Sequence, residues 1–425
     1  MLFRLLFFLL LVVPAVPAAA YSVLTHQAIV DTAWADCIAP QLEHHYPGGT
    51  PAEMNRAKSY AYGGAILQDM GYYPLGSSFF TNLTHYVRSG DFVRNLLRLA
   101  RNRNEYAFSL GALAHYAADN VGHPEGTNQI IAGVYPDLKA KFGPVVTYEQ
   151  SRVRHTEVEF SFDVVQVAAG RYRSQTYHKA IGFRVSKPVM ERAFRLTYGI
   201  EMKQIFFNVD LSVAMFRFAV NQLLPAAARA AWYHKHDEIR ALSPRARRGD
   251  SLYHSNRRQY RREFGSDYER PGLGAKLMAG VLRVLPKIGP LKPYAFTLPD
   301  VPGALQFHRS YQDSEARFRT LVQQQPADTS RTRPLADTNL DTGAPTQPTA
   351  YVLADRTYGE LLRQLHQQKF RHLTPALRQT LLSYFANGIP VPNRETDRDD
   401  DNDREARKYR RKTQEALAAL QALPG

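Results

Sequence analysis

Residues 105–126, EYAFSLGALAHYAADNVGHPEG, decide the fold. Their apolar side chains recur at the spacing of an α-helix, and His115 and Asp119 stand four positions apart, so both project from one face of that helix. His123 follows four positions later, where a glycine and a proline indicate that the helix ends. The stretch therefore predicts a long helix with nitrogen and oxygen donors at its C-terminal end.

A second pair of donors, His155 and Glu159 in RHTEVEF (154–160), repeats this spacing. Helix neighbours four positions apart can reach one metal ion, which needs imidazole nitrogen or carboxylate oxygen roughly 2.0–2.2 Å away. Taken alone, such a pair is more typical of a surface hydrogen bond or ion pair. The same region also holds further candidate donors, and their number favours the metal interpretation: His26, Asp69 and His85.

The first twenty residues have the layout of a cleavable signal peptide. Arg4 precedes an apolar run from Leu5 to Val13, and three alanines come directly before Tyr21. We expect residues 1–20 to be removed, so that the mature chain begins with the free amine of Tyr21 and is secreted or periplasmic. The apolar run is too short to span a bilayer, and we expect no membrane helix elsewhere.

The cysteine count and the net charge limit how the protein can be stabilised and which partners it favours, but they do not identify a substrate. Cys37 is the one cysteine of the chain, which excludes an internal disulfide, so stability must come from core burial or from metal. The formal net charge of +15 favours phosphate-bearing partners, either an anionic phospholipid surface or a nucleic acid. The sequence indicates no defined protein partner.

The chain divides by composition into five parts. After the signal peptide, residues 21–242 carry helical patterns and predict an all-α domain. Residues 243–322 form a basic and amphipathic extension, in which the stretch 274–296 fits either a membrane-surface segment or a strand or loop packed on the main domain. Residues 323–350 are typical of a linker, and residues 351–425 predict a helical C-terminal region.

As an ordered set, the donors resemble those of the bacterial zinc-dependent phospholipases C and their relatives, the single-strand-specific zinc nucleases. The resemblance implies an all-α fold with three zinc ions in one trinuclear cleft. Carried over residue by residue, it implies these ligands: Asp69, His85, His115 and Asp119 for the first zinc; His123, His155 and Glu159 for the second; Tyr21 and His26 for the third, with Asp119 shared between the first and the third.

The resemblance also explains why the chain would begin at Tyr21. A peptide nitrogen cannot coordinate zinc as a terminal amine can, so cleavage of the signal would create a ligand. The reference pKa of an α-amine, roughly 8, means modest proton competition at neutral pH.

Three features depart from the family pattern. Tyr21 stands where the family usually has tryptophan, although a backbone ligand does not depend on the side chain. His123 follows the shared aspartate by four residues, whereas the family usually places this histidine six residues on, and this makes the second zinc site the least secure of the three. The chain after about residue 243 matches no part of the pattern.

The resemblance implies hydrolysis of a phosphodiester by a zinc-dependent enzyme, with Asp69 as the candidate catalytic residue that orients a water or accepts its proton. Asp69 could equally be a plain ligand or a helix cap. Phospholipase C activity is the first hypothesis, and the histidine–glutamate form of the 155/159 pair leans towards it.

Two other functions stay open. Single-strand nuclease action is favoured by the positive charge and by aromatic residues near Asp69 that could stack bases, although such residues are more often core or cleft wall: Tyr60, Tyr62, Tyr72 and Tyr73. The shortened turn before His123 and the long C-terminal half suggest instead a zinc-stabilised envelope binding protein without turnover.

Overall fold

The computed structural model describes residues 23–168, 183–220, 236–242, 297–326, 328, 331–390 and 400–424. Within these ranges the chain is helical and contains no strand, apart from an isolated bridge between Thr338 and Pro345. The all-α prediction is therefore confirmed. None of the described helices is both long enough and apolar enough to cross a bilayer.

The first half of the described chain carries the candidate donors. Its helices are α1 (Val23–Thr32), α2 (Ala39–His45), α3 (Pro51–Gly64), α4 (Ser78–Tyr86), α5 (Ser89–Leu99), α6 (Arg103–Gly122), α7 (Asn128–Val134), α8 (Pro136–Phe142) and α9 (Arg152–Ala168). Three short turns interrupt them: a π-helical turn at Trp34–Ile38, a 3₁₀ turn at Gln68–Tyr72 and a second π-helical turn at His123–Thr127.

The second half adds seven further helices to the described part of the chain. These are α10 (Lys187–Tyr198), α11 (Met202–Ile205), α12 (Val209–Phe218), α13 (Val301–Gln323), α14 (Val352–Gln367), α15 (Pro375–Tyr384) and α16 (Asp400–Gln421). The expected C-terminal helical patterns are thus helices, and α14 to α16 pack on one another.

Helix α6 lies at the centre, packed against α3 on one side and α13 on another. Nearly all of its side chains are buried, as expected for a helix that is covered all round. Two glycines let α3 and α6 approach closely, since a Cβ at Gly64 would lie 1.9 Å from the carbonyl oxygen of Phe108, and one at Gly111 would lie 2.0 Å from that of Ala61. This close crossing fixes the turn of α6 that carries His115.

Side-chain caps set where α3 and α6 begin. The side chain of Thr50 accepts a hydrogen bond from the backbone N–H of Glu53, and the Glu53 carboxylate accepts from the N–H of Thr50. This reciprocal capping box starts α3. Asn102 starts α6 in a simpler way, by accepting from the N–H of Glu105.

The chain beyond residue 242 differs from its sequence expectation in two places. Helix α13 occupies the last part of the expected basic extension, yet it packs along α6 in the main domain. The ring of Phe307 in α13 stacks on that of Phe162, with 3.9 Å between the ring centroids. Residues 331–349, called the docked segment below, fall in the expected linker but lie against the helical domain, where Leu340 is fully buried. The stretch 274–296 and the signal peptide lie outside the described residues.

Candidate metal centre

Eight of the nine predicted donors come together in one buried cluster. Six elements contribute them: α1 supplies His26, the 3₁₀ turn Asp69, α4 His85, α6 His115 and Asp119, the second π-helical turn His123, and α9 His155 and Glu159. None of the eight is more than 3% exposed. The ninth, Tyr21, lies outside the described residues, so its role stays a prediction.

Asp119 lies at the middle of the cluster and faces two sides. Its Oδ2 atom is 3.0 Å from His115 Nε2 and 3.4 Å from His85 Nε2. Its Oδ1 atom is 3.5 Å from His26 Nε2 and 3.6 Å from His123 Nε2. A carboxylate whose two oxygens face different sets of histidines is arranged to be shared between metal ions.

The turn after α6 explains how His123 reaches the cluster despite its short spacing. Pro124 has no N–H with which to continue the α-helical pattern, and the chain passes into a π-helical turn at His123 rather than leaving the helix. His123 therefore stays on the face of α6 that carries Asp119. The shortened spacing does deliver this side chain to the other donors.

His123, His155 and Glu159 form a separate group in which one donor atom of each lies within 4.8 Å of the others. The rings of His123 and His155 stack with 4.9 Å between centroids. His155 Nε2 lies 2.6 Å from Glu159 Oε1, yet neither nitrogen of His155 has a hydrogen-bond partner among the described residues. Burial, followed by the neighbouring His123, lowers the pKa of His155 to about 3, which keeps its imidazole neutral.

Asp69 lies close to the three other histidines of the cluster. Its Oδ1 atom is 3.4 Å from His85 Nε2, and its Oδ2 atom is 3.9 Å from His115 Nδ1 and 4.0 Å from His26 Nε2. Asp69 is the second residue of the 3₁₀ turn and caps no helix there. The structure therefore excludes a helix-capping role for Asp69, and its roles as a catalytic residue or a plain ligand stay open.

Backbone carbonyls orient two of the histidines. His85 Nδ1 lies 2.8 Å from the carbonyl oxygen of Thr81, and His115 Nδ1 lies 3.0 Å from that of Ala65. A carbonyl oxygen only accepts, so Nδ1 is the protonated nitrogen in both rings. In the neutral imidazole the Nε2 lone pair is then left to face the cluster.

The donor set fits a divalent cation. Both carboxylate oxygens of Asp69 and of Asp119 are buried without a hydrogen-bond partner in the described part of the chain. An unpaired buried carboxylate is costly, and several of them so close together are stable only when cations or protons compensate their charge. Imidazole nitrogen and carboxylate oxygen are ligands that Zn²⁺ takes.

The pKa values point in the same direction. Burial lowers the pKa of His85, but the carboxylates of Asp119 and Asp69 outweigh it and raise that pKa to about 10. Asp119 in the same way raises the pKa of His123 to about 9 against the effect of burial. Burial raises the pKa of Asp69. Protons thus balance the carboxylates in the metal-free chain, and a bound cation would take over that role.

The structure also adds a residue that sequence reasoning missed. Asp341, in the docked segment, accepts a hydrogen bond from His123 Nδ1 at 3.0 Å. Its neighbour Leu340 donates its backbone N–H to the carbonyl oxygen of His85 at 3.0 Å. The polar, proline-containing sequence around these residues resembles a linker and carries no local signal for either contact.

The aromatic residues near Asp69 do not form an open stacking surface. Tyr62, Tyr72 and Tyr73 are each at most 7% exposed. Tyr72 lies with its ring centroid 6.1 Å from that of His85 and 5.8 Å from that of Tyr148, so it packs beside the donor cluster. The cleft-wall interpretation describes these rings better than base stacking.

Comparison with known proteins agrees with this geometry. Residues 25–208 match the family model described as zinc-dependent phospholipase C. The matched region includes all eight clustered donors, whereas Tyr21 precedes it and Asp341 follows it. Searches of curated proteins and of solved structures each found no match. Over residues 25–208, the chain is therefore similar to the zinc-dependent phospholipase C family.

Proposed function

We propose that this protein is a zinc-dependent phospholipase C, which hydrolyses a phospholipid to diacylglycerol and a phosphorylated head group. We further propose that it acts outside the cytoplasm, after removal of residues 1–20. The observation that carries the proposal is the convergence of eight buried donors around Asp119 in a region that matches the model of this family.

The arrangement supports the following allocation of three zinc ions, which is part of the proposal. The first would be held by Asp69, His85, His115 and Asp119, the second by His123, His155 and Glu159, and the third by His26, the amine and carbonyl of Tyr21, and Asp119. The two-sided position of Asp119 supports its sharing, since Oδ2 faces the donors of the first ion and Oδ1 faces His26.

Zinc in such a site supplies Lewis acidity, which offsets the charge of a phosphodiester and makes water more acidic. The residues of the chain supply orientation and proton transfer. The carbonyls of Thr81 and Ala65 fix the tautomers of His85 and His115. Burial raises the pKa of Asp69, whereas at Asp119 the effect of burial is outweighed by His115 and His123, which hold that pKa well below its usual value. Asp69 is therefore the better placed of the two central aspartates to take up a proton from water.

The phospholipid is preferred as substrate over a nucleic acid. The family match supports it, and the burial of Tyr62, Tyr72 and Tyr73 leaves only Tyr60, which is half-buried, of the four rings proposed to stack bases. The positive charge suits either substrate. One of the two observations that suggested a binding protein without turnover was the shortened turn before His123. That observation no longer supports the hypothesis, because His123 reaches the cluster.

The experiment that tests the proposal is phosphorus NMR on the mature, zinc-loaded protein, with a chelator-treated sample as the control. The protein is incubated with mixed phospholipid vesicles and with single-stranded DNA. Phosphomonoester head groups that form only with zinc would support phospholipase C, and nucleotide monoesters would show a nuclease instead. If neither signal grows, the non-catalytic binding protein becomes the better description.

A further inference from the structure

The docked segment, residues 331–349, contacts α6, which carries two of the donors, and the neighbouring helix α5. Tyr116 of α6 donates its hydroxyl to the carbonyl oxygen of Ala336 at 2.8 Å. The hydroxyl of Ser89 donates to the carbonyl oxygen of Thr338 at 2.6 Å and accepts from its N–H at 3.1 Å. These contacts satisfy polar backbone groups of the segment and hold it in one register against α5 and α6.

The same register places Asp341 behind His123. The carboxylate of Asp341 accepts from His123 Nδ1 through Oδ1, and through Oδ2 from the N–H of Tyr148 at 2.9 Å and the hydroxyl of Tyr351 at 2.7 Å. Its backbone carbonyl accepts from Asn128 Nδ2 at 2.7 Å. Asp341 is 2% exposed, so this is a rigid and water-excluded contact.

The hydrogen bond from His123 to Asp341 differs from the hydrogen bonds that orient His85 and His115. His85 and His115 are oriented by backbone carbonyls within the matched region, whereas His123 is oriented by a carboxylate 218 residues away in the chain. A carboxylate that accepts from one ring nitrogen fixes the tautomer and makes the other nitrogen a stronger metal ligand. His123 Nε2 is the nitrogen that faces Asp119.

We infer that Asp341 is a positioning residue for His123, and that the docked segment therefore completes the second zinc site from outside the family-matched region. The inference rests on the proposed role of His123 as a zinc ligand. It assigns to part of the long C-terminal half a role at the metal centre.

Two variants of the full mature chain test the inference, each zinc-loaded and dialysed against a graded series of chelator concentrations, with zinc per chain measured by mass spectrometry. Asp341→Ala should release one zinc at a free-zinc level about 10–100-fold higher than wild type, the usual cost of losing such an outer partner, and keep the other ions. Gly90→Ala should cause the same loss of zinc while leaving Asp341 itself unchanged. The Cβ of the new alanine would lie 2.3 Å from the carbonyl oxygen of Ala336 and would displace the docked segment.

Asp337→Asn is the matched control. Asp337 lies in the same segment and accepts from the N–H of Asp91 at 2.9 Å, a contact that asparagine keeps and that touches no donor of the cluster. This variant should retain zinc as wild type does. If circular dichroism shows that Asp341→Ala does not fold, Gly90→Ala makes the same comparison.

Wild-type zinc retention in the Asp341 and Gly90 variants would overturn the inference, and so would an equal loss of every ion. Zinc content is read without substrate, so the two proposals can fail separately. A chain that shows the selective zinc loss but hydrolyses no phospholipid would overturn the proposed function alone. If the wild-type chain hydrolyses phospholipid and the variants retain zinc as the wild type does, only the role of Asp341 is overturned.

Discussion

Asp163 accepts two hydrogen bonds from Thr25, one from the backbone N–H at 3.0 Å and one from the hydroxyl at 2.6 Å. It also accepts from the N–H of Leu24 at 2.9 Å. The first amides of α1 have no partner within the helix, and a carboxylate there satisfies them and interacts favourably with the helix dipole. Because Asp163 lies four residues after Glu159 on α9, this cap ties the start of α1 to the helix that carries His155 and Glu159.

Replacing Asp163 should therefore destabilise the fold and disturb His26, which follows Thr25. For Asp163→Ala we expect a loss of about 1–3 kcal/mol in the free energy of unfolding, since buried backbone donors would be left unsatisfied. Urea unfolding of the zinc-free and zinc-loaded chains measures it, with Asp137→Asn on the exposed face of α8 as the control. Unchanged stability would show that α1 does not depend on this cap.

The proposed role of Tyr21 predicts that an extra residue in front of it removes one zinc. A chain that keeps Met before Tyr21 has a peptide nitrogen where the amine should be, and we expect it to bind one zinc fewer and to lose most of its activity. The control is the same chain cut to begin at Tyr21. Full zinc content and full activity in the extended form would exclude the amine as a ligand.

Local sequence patterns predict much of the fold and of the donor cluster. The positions of His115, Asp119, His155 and Glu159 follow from helical spacing, because residues four apart share a face whatever the rest of the chain does. The burial of all four agrees with that pattern.

The role of the docked segment is not predictable in this way. Asp341 meets His123 across 218 residues, and the polar composition of its surroundings suits a linker. What holds the segment is a set of partners on distant helices, such as Ser89 and Tyr116. Local composition reports whether a segment can pack on itself, and it does not report which surface elsewhere will satisfy its backbone.

The crossing of α3 and α6 predicts an unusual response to alanine. Alanine normally favours a helix over glycine by up to about 1 kcal/mol, but at Gly111 the new Cβ would lie 2.0 Å from the carbonyl oxygen of Ala61. We expect Gly111→Ala to destabilise the chain by about 1–3 kcal/mol, because the two helices must move apart. Thermal unfolding measures the change.

Gly133→Ala is the matched control for that change. A Cβ at Gly133 in α7 meets no atom within 4 Å, so the helix preference acts alone and stability should stay level or rise slightly. A similar effect at both positions would mean that the close approach at Gly111 is not a constraint on the fold.

Glu149 predicts a dependence of stability on pH. Burial raises its pKa from 4.5 to about 7, although the carboxylate accepts from the N–H of Leu353 at 3.0 Å and so caps α14. The folded chain holds a proton here that the unfolded chain releases, so this group lowers stability progressively as pH rises from about 4.5 to about 7. Above that range its effect should be constant.

Glu149→Gln should remove this dependence, because glutamine keeps an acceptor for Leu353 and does not ionise. We expect the variant to gain about 1 kcal/mol over wild type between pH 5 and pH 8, after allowance for the partly exposed side chain. Urea unfolding at several pH values gives the difference, and Glu415→Gln on the exposed face of α16 is the control. A difference that does not change with pH would contradict the raised pKa.

His115 offers the most direct test of the metal centre, because its Nε2 lies 3.0 Å from Oδ2 of Asp119, at the middle of the donor cluster. His115→Ala should lose zinc and reduce phospholipid hydrolysis by more than the roughly 10–100-fold that loss of an outer partner costs, since a proposed ligand itself is removed. Zinc content and turnover are measured on the same sample. His44→Ala, at an exposed histidine of α2, should leave both unchanged. Turnover that survives His115→Ala would place the chemistry outside this cluster.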